Sequence, residues 1–119
     1  MIGGVKVKVC GLTRLSDAKS AAAMGVDFLG FIFYPRSPRF LTLSAYETFQ
    51  SELPDLPKVA VTVLPDSDQL NALLQVGFDY YQIHFPLIGP YRQQIEEWSR
   101  QVTPEKLWLA QKVGPEEEF

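Results

Sequence analysis

Apolar, β-branched runs alternate along this chain with helix-like runs, at a cadence that limits the fold more than any other feature. Strand-like segments begin near residues 5, 27, 58, 78 and 107, and a helix-like segment fills each gap between them. Spacings of roughly 20–30 residues suit repeated βα units. Strand–helix alternation with short loops means parallel strands joined by right-handed crossovers. There is an internal echo: Gly25-Val26-Asp27-Phe28 and Gly77-Phe78-Asp79-Tyr80 each hand a helix end to a strand. Two architectures stay open on this pattern, a doubly wound sheet and a (β/α)8 barrel. The first strand lacks the G-x-G-x-x-G turn of dinucleotide folds. Polar residues on strand faces (Lys8, Gln82, His84) favour the barrel, where strand ends converge on a site.

Taken in order, Val5, Val7 and Val9 alternate with Lys6 and Lys8, and Gly11 closes the run. That is a short strand with a sharp stop. Cys10 ends it and points the same way as Lys6 and Lys8. An ammonium two residues back on the same face would favour a thiolate; the alternative is a small core filler. Ser16 is the expected N-cap of the first helix, Ala18, Ala21 and Ala22 make a small-residue face, and Gly25 fits the C′ position. Asp27 to Tyr34 is a mostly apolar strand, as expected where both faces are covered. It breaks at Pro35, in a loop carrying Arg36 and Arg39. Ser44 with Glu47 predicts a capping box for a second helix through about Leu53.

Lys58 to Leu64 is the third strand, rich in β-branched residues. Asp66 is the expected cap of a third helix carrying Leu70, Leu73 and Leu74 and ending at Gly77. In the fourth strand, Phe78 to Phe85, Gln82 and His84 share a face. Pro90 suits the first turn of a fourth helix, with Tyr91, Ile95, Trp98 and Val102 at core spacing. Leu107 to Val113 is the fifth strand, followed by an acidic tail that reads as the start of a loop or helix.

Composition narrows the function. A hydrophobic share of 46% and a charged share of 21% are neither a disordered nor a membrane composition. The net charge of −3, with no Lys/Arg run longer than two, argues against a nucleic-acid partner. A single cysteine makes no internal disulfide, which suits a reducing compartment. The N-terminus lacks the apolar core of a signal peptide, and no stretch reaches the ~18 apolar residues of a membrane span. The expected setting is the cytoplasm, with no membrane partner. No His/Cys/Asp cluster has metal spacing.

Three motifs carry a family resemblance. KVCGLTR, then DFLGFIFYPRSPRF, and later QIH on a strand resemble phosphoribosylanthranilate isomerase, a tryptophan-biosynthesis enzyme, in order from Lys6 to about Val113. The resemblance implies a (β/α)8 TIM barrel that performs an Amadori rearrangement with no cofactor. Its substrate is a phosphorylated aminosugar, N-(5-phosphoribosyl)anthranilate. An acid opens the furanose ring to an iminium, and a base removes the C2′ proton. The family base, a cysteine ending the first strand, maps onto Cys10. Arg39 matches the arginine that faces the anthranilate carboxylate, which a guanidinium holds bidentately. Gln82 and His84 fall on the strand that lines the family's pocket, and Lys8 joins them as a substrate-binding candidate. For His84 the plain alternative is a hydrogen-bonded core histidine; Arg36 reads as solvated.

Two departures touch the site rim. Phe85 and Pro86 stand where the family usually has glycine, and the third strand ends VTVLP in place of an FVN-like sequence. A barrel needs about 200–250 residues, so 119 residues supply about the first five strands and four helices of an incomplete domain. The family's acid, an aspartate on the sixth strand, and its phosphate grip have no counterpart here. The expectation is the N-terminal part of a longer enzyme, with a homodimer left open; this segment alone should not turn over substrate. The rival is a non-catalytic partial barrel that binds a ligand or partner through its open strand edges. A sister isomerase of histidine biosynthesis would work with paired aspartates, and the first strand offers Cys10 instead.

Overall fold

The computed structural model describes residues 1–86 and 89–112. Its strands are β1 (Lys8–Val9), β2 (Phe28–Ile32), β3 (Lys58–Val63), β4 (Tyr80–Pro86) and β5 (Leu107–Lys112). Between them run α1 (Leu15–Ala23), α2 (Leu43–Phe49), α3 (Ser67–Val76) and α4 (Arg92–Gln101). Short 3-10 turns at Gln50–Glu52 and Pro104–Lys106 lead into β3 and β5. The expected end of the fifth strand at Val113 and the acidic tail lie outside the described residues.

The strands pair parallel in the order β1-β2-β3-β4-β5. A doubly wound sheet reverses its strand order part-way, and this one does not. Register assigns the two faces. Lys8 pairs with Phe28, Gly30 with Val59, Val61 with Gln82, and Gln82 with Trp108, so these residues share one face with Cys10, Tyr80 and His84. The opposite face carries Leu29, Phe31, Ala60, Ile83 and Phe85, all buried with Ala18, Ala21, Tyr46, Leu70, Leu73 and Trp98 of the helices. The helices therefore cover one face only.

The other face is curled inward. Neighbouring strands stand about 4.8 Å apart, so β2 and β5 would be separated by about 14 Å in a flat sheet. Yet the rings of Phe28 on β2 and Trp108 on β5 meet edge to face at 5.4 Å. Trp108 also stacks on Tyr80 of β4 at 4.6 Å.

Local chemistry accounts for most of the element ends. Asp66 caps α3 in a full capping box: its carboxylate accepts from Gln69 N–H at 2.8 Å and the Gln69 side chain accepts from Asp66 N–H at 2.9 Å. Gly25 takes φ +91°, with its N–H on Ala22 O and that of Val26 on Ala21 O, the paired bonds of a Schellman ending. The repeated aspartates act alike. Asp27 accepts from Val7 N–H at 2.8 Å and Asp79 from Lys58 N–H at 2.7 Å, each tying its strand to the start of the preceding one. The Met1 ammonium also bonds Asp27 at 2.8 Å and holds its carboxyl below the usual carboxylate range, helped by Val7 N–H.

Three helix starts differ from the sequence expectation. Ser16 lies inside α1; the N-cap position is Arg14, with no side-chain cap. The second helix is capped by Thr42, whose hydroxyl accepts from Ala45 N–H at 3.1 Å, and not by Ser44 with Glu47. The cause is tertiary: Leu41 N–H donates to Ile32 O at 2.9 Å, so the returning loop is pinned to β2 just before Thr42. Its α-helical part also stops at Phe49, ahead of the expected end near Leu53. Pro90 precedes α4, whose N-cap is Tyr91, because Tyr91 N–H closes a tight turn onto Gly89 O at 3.0 Å.

Candidate active site

Cys10 follows β1 directly and is half-buried. The chain then turns through Gly11, at φ +85°, where the N–H groups of Gly11 and Leu12 both reach Gly30 O at 3.1 Å. Gly30 is what lets the two strands meet here. A methyl group on it would lie 3.3 Å from Cys10 Sγ, so the thiol lies over β2 on the inner face.

Arg39 comes to the same corner from the loop after β2. Its own N–H is held by Ser37 Oγ at 3.2 Å, and Phe40 bridges back to Ile32. The side chain folds over Gly11 so closely that a methyl group there would stand 2.6 Å from Arg39 Cδ. Gly11 thus serves twice, by its positive φ and by its missing side chain. Among the described residues no ion pair engages the Arg39 guanidinium. Arg36, exposed in the same loop, has no ion pair among them either.

Lys8, Gln82 and His84 form a hydrogen-bonded chain across the inner face. Lys8 Nζ donates to Gln82 Oε1, and Gln82 Nε2 lies 2.9 Å from His84 Nε2. Lys8 Nζ also stands 6.0 Å from the centroid of the Trp108 ring, within cation–π range. The lysine expected to influence Cys10 is thus directed at Gln82, and among the described residues no hydrogen bond joins it to the sulfur. All five candidates from the sequence lie on this face or at its rim: Cys10 with Arg39 at one corner, Lys8 with Gln82 and His84 across it.

Sequence reasoning read Gly11 only as the stop of the first strand, and it missed Gly30 and the rings of Phe28, Tyr80 and Trp108. A lone glycine inside an apolar strand is itself a sign of close backbone approach, so Gly30 was findable. The ring cluster was not, because it depends on the curl. At the rim, Phe85 and Pro86 continue β4, and Leu64 closes β3 at φ +41°, donating its N–H to His84 O at 3.1 Å. An apolar cavity of about 230 Å³ lies elsewhere, on the helix side among Phe33, Leu41, Thr62 and Leu73. It sits on the opposite face from Cys10. Among the described residues no His, Cys, Asp and Glu side chains group as a metal site would need, and no helix is long and apolar enough to cross a membrane.

The family profile described as N-(5′-phosphoribosyl)anthranilate (PRA) isomerase matches residues 7–118, nearly the whole chain. The chain belongs to the phosphoribosylanthranilate isomerase family. Relatives of that name agree. The Cereibacter sphaeroides isomerase is 40% identical over 85 residues, 70% of this chain and 40% of the relative. The Aquifex aeolicus isomerase is 42% identical over 82 residues, 67% of this chain and 40% of the relative.

Solved structures of the family superpose on the fold. A phosphoribosylanthranilate isomerase in complex with reduced 1-(o-carboxyphenylamino)-1-deoxyribulose 5-phosphate gives a TM-score of 0.73 at 29% identity, covering 93% of this chain and 54% of that one. A monomeric form of the dimeric isomerase from Thermotoga maritima gives 0.72 at 30% identity, covering 94% and 56%. The chain spans about two fifths of the length of the curated relatives it matches, and about half of the solved ones.

Proposed function

We propose that these five strands and four helices are the first part of a (β/α)8 barrel that isomerises N-(5-phosphoribosyl)anthranilate, with Cys10 as the base. The observation that carries this reading is the shared corner: a thiol at the end of β1, over Gly30, with the Arg39 side chain folded against the next residue. Strand ends are where barrels of this kind place their chemistry. The sequential strand order and the inward curl support the barrel.

In this reading Arg39 holds the anthranilate carboxylate with parallel N–H donors. Protonation of the ring oxygen breaks its bond to C1′, whose electrons leave with that oxygen while the anilino lone pair forms the iminium. Cys10 Sγ then accepts the C2′ proton. The C–H electron pair moves into the C1′–C2′ bond and the iminium electrons return to nitrogen, giving an enolamine that becomes the ketone. Lys8, Gln82 and His84 present polar groups to the sugar. The proton donor and the phosphate grip belong to the later units of the barrel, beyond Phe119. No cofactor enters.

The test starts from the gene read through its natural stop codon. A product of roughly 20–25 kDa that isomerises phosphoribosylanthranilate is expected. Cys10→Ala should then lower kcat by about 10²–10⁴-fold with the fold intact, while Arg39→Ala mainly raises KM. A Cys10→Ala enzyme with near-normal kcat removes Cys10 from the reaction. A natural product of 13.5 kDa without activity favours the non-catalytic partial barrel.

A further inference from the structure

We propose that the helix-side cavity is a second binding site, separate from the Cys10 face, for an uncharged molecule of one aromatic ring bearing a hydroxyl or amino group, and that the Thr62 hydroxyl bonds that group.

Small side chains leave the gap. Thr62 points to the helix side of β3, as Ala60 does two residues earlier. Ile32 pairs with Val61, and Phe33 N–H donates to Val61 O at 2.9 Å, which sets Phe33 level with Thr62. From α3 come Leu73 and the short side chain of Ala72, and about 230 Å³ stays unfilled between them. The walls are fixed beforehand. The Phe33 ring is held edge to face by Tyr46 at 5.8 Å and Phe78 at 5.4 Å, and Leu41 N–H is bonded to Ile32 O at 2.9 Å. Walls held in place before binding lose little freedom when the pocket fills.

Thr62 supplies the polar contact. It is 6% exposed, a polar residue in the apolar core. Among the described residues no hydrogen bond engages its hydroxyl, yet every fully enclosed side-chain nitrogen and oxygen there has a partner. The Thr62 oxygen is therefore not sealed in; it opens into the cavity that the residue lines. An unbonded hydroxyl in apolar surroundings is costly, and a ligand that bonds it removes that cost. A hydroxyl can give or accept, so either a phenol or an aniline suits it.

The lining limits what else the ligand can be. No charged side chain borders the cavity, which disfavours carboxylates, phosphates and ammonium groups. That sets this site apart from one for phosphoribosylanthranilate. The rings of Phe33 and Phe40 offer faces and edges to another ring. An apolar cavity of about 150 Å³ admits benzene, and pockets for drug-sized molecules begin at about 300 Å³. The volume here fits a single substituted ring.

Titration of the natural gene product with phenol, and with toluene as a probe of equal size and no polar group, tests the site without any need for turnover. Phenol should bind saturably with a Kd of about 1 mM or tighter. Thr62→Val keeps the shape and removes the hydroxyl. It should weaken phenol by about three- to tenfold and leave toluene unchanged. Its urea midpoint should match or exceed that of the wild type, because no internal bond is lost. Ala72 is exposed on α3, so Ala72→Phe should fill the cavity without disturbing the core, and it should abolish binding of both probes. Absence of saturable phenol binding would mean that the cavity holds water only and would overturn the proposal. So would equal shifts for phenol and toluene in Thr62→Val, or a wild-type phenol Kd in Ala72→Phe.

Discussion

A methyl group at Gly30 would stand 3.2 Å from both Cys10 Cα and Val9 O. Both are backbone atoms, so neither can step aside as a side chain would. Gly30→Ala should therefore cost about 1–3 kcal/mol as an overpacked contact, and it should displace the thiol as well. The check is a pair of measurements, the urea midpoint and kcat of the active protein; a wild-type value for both would show that the corner tolerates the extra carbon. Tyr46 provides a pH-dependent test at the same scale. Burial, with the Asp79 charge adding to it, pushes its phenol from 10.0 up to about 12. The native state thus favours the neutral phenol. That contribution is complete below about pH 10 and is lost as pH rises through about 12. Urea midpoints should fall across this window, and Tyr46→Phe should flatten the fall. Some slope should survive, since burial also raises Tyr81.

Among the elements, α2 and α3 show what a cap needs. For α3 the box is complete within four residues, and Asp66 was readable from sequence for that reason. For α2 the sequence pointed to Ser44, and the loop that returns along β2 sets the cap two residues earlier, at Thr42. Thr42→Ala should cost about 1 kcal/mol, as should Asp66→Ala. Ser44→Ala, inside the first turn, should stay within about 0.5 kcal/mol. Thermal or urea unfolding of the three variants decides it, and an equal loss at Ser44 would place the cap where sequence alone put it. The paired aspartates belong to this scale too. Asp27 and Asp79 look like a faint repeat in the sequence, and in the fold each binds the backbone N–H at the start of the neighbouring strand.

At the scale of the whole molecule, the sheet formed by the described residues has two outer strands, β1 and β5, each with one neighbour among them. Exposed edges pair readily with other chains. Leu109 of β5 lies on the helix-side face and is 45% exposed, so this edge offers apolar surface, and among the described residues no further strand pairs with it. The 119-residue chain expressed by itself should associate as its concentration rises in sedimentation experiments. Leu109→Lys should shift it toward the monomer, as charge does on natural sheet edges. A monomer at all concentrations would mean that the edges are already protected.

Much of the site was legible in advance because it follows from short-range rules. Alternation along a strand comes from backbone geometry, so Lys8 and Cys10, or Gln82 and His84, share a face whatever surrounds them. Apolar periodicity and helix-ending glycines likewise marked the elements, with ends shifted by a few residues. The sequence therefore determined which segments are strands and helices and which side chains sit together on each. Only the tertiary structure decided the strand order, the start of α2, the packing of Arg39 over Gly11, and the bond between Lys8 and Gln82. Those two side chains are 74 residues apart, and they meet because the sheet curls. Curl is a property of five strands packed under four helices, and no window of the chain contains it.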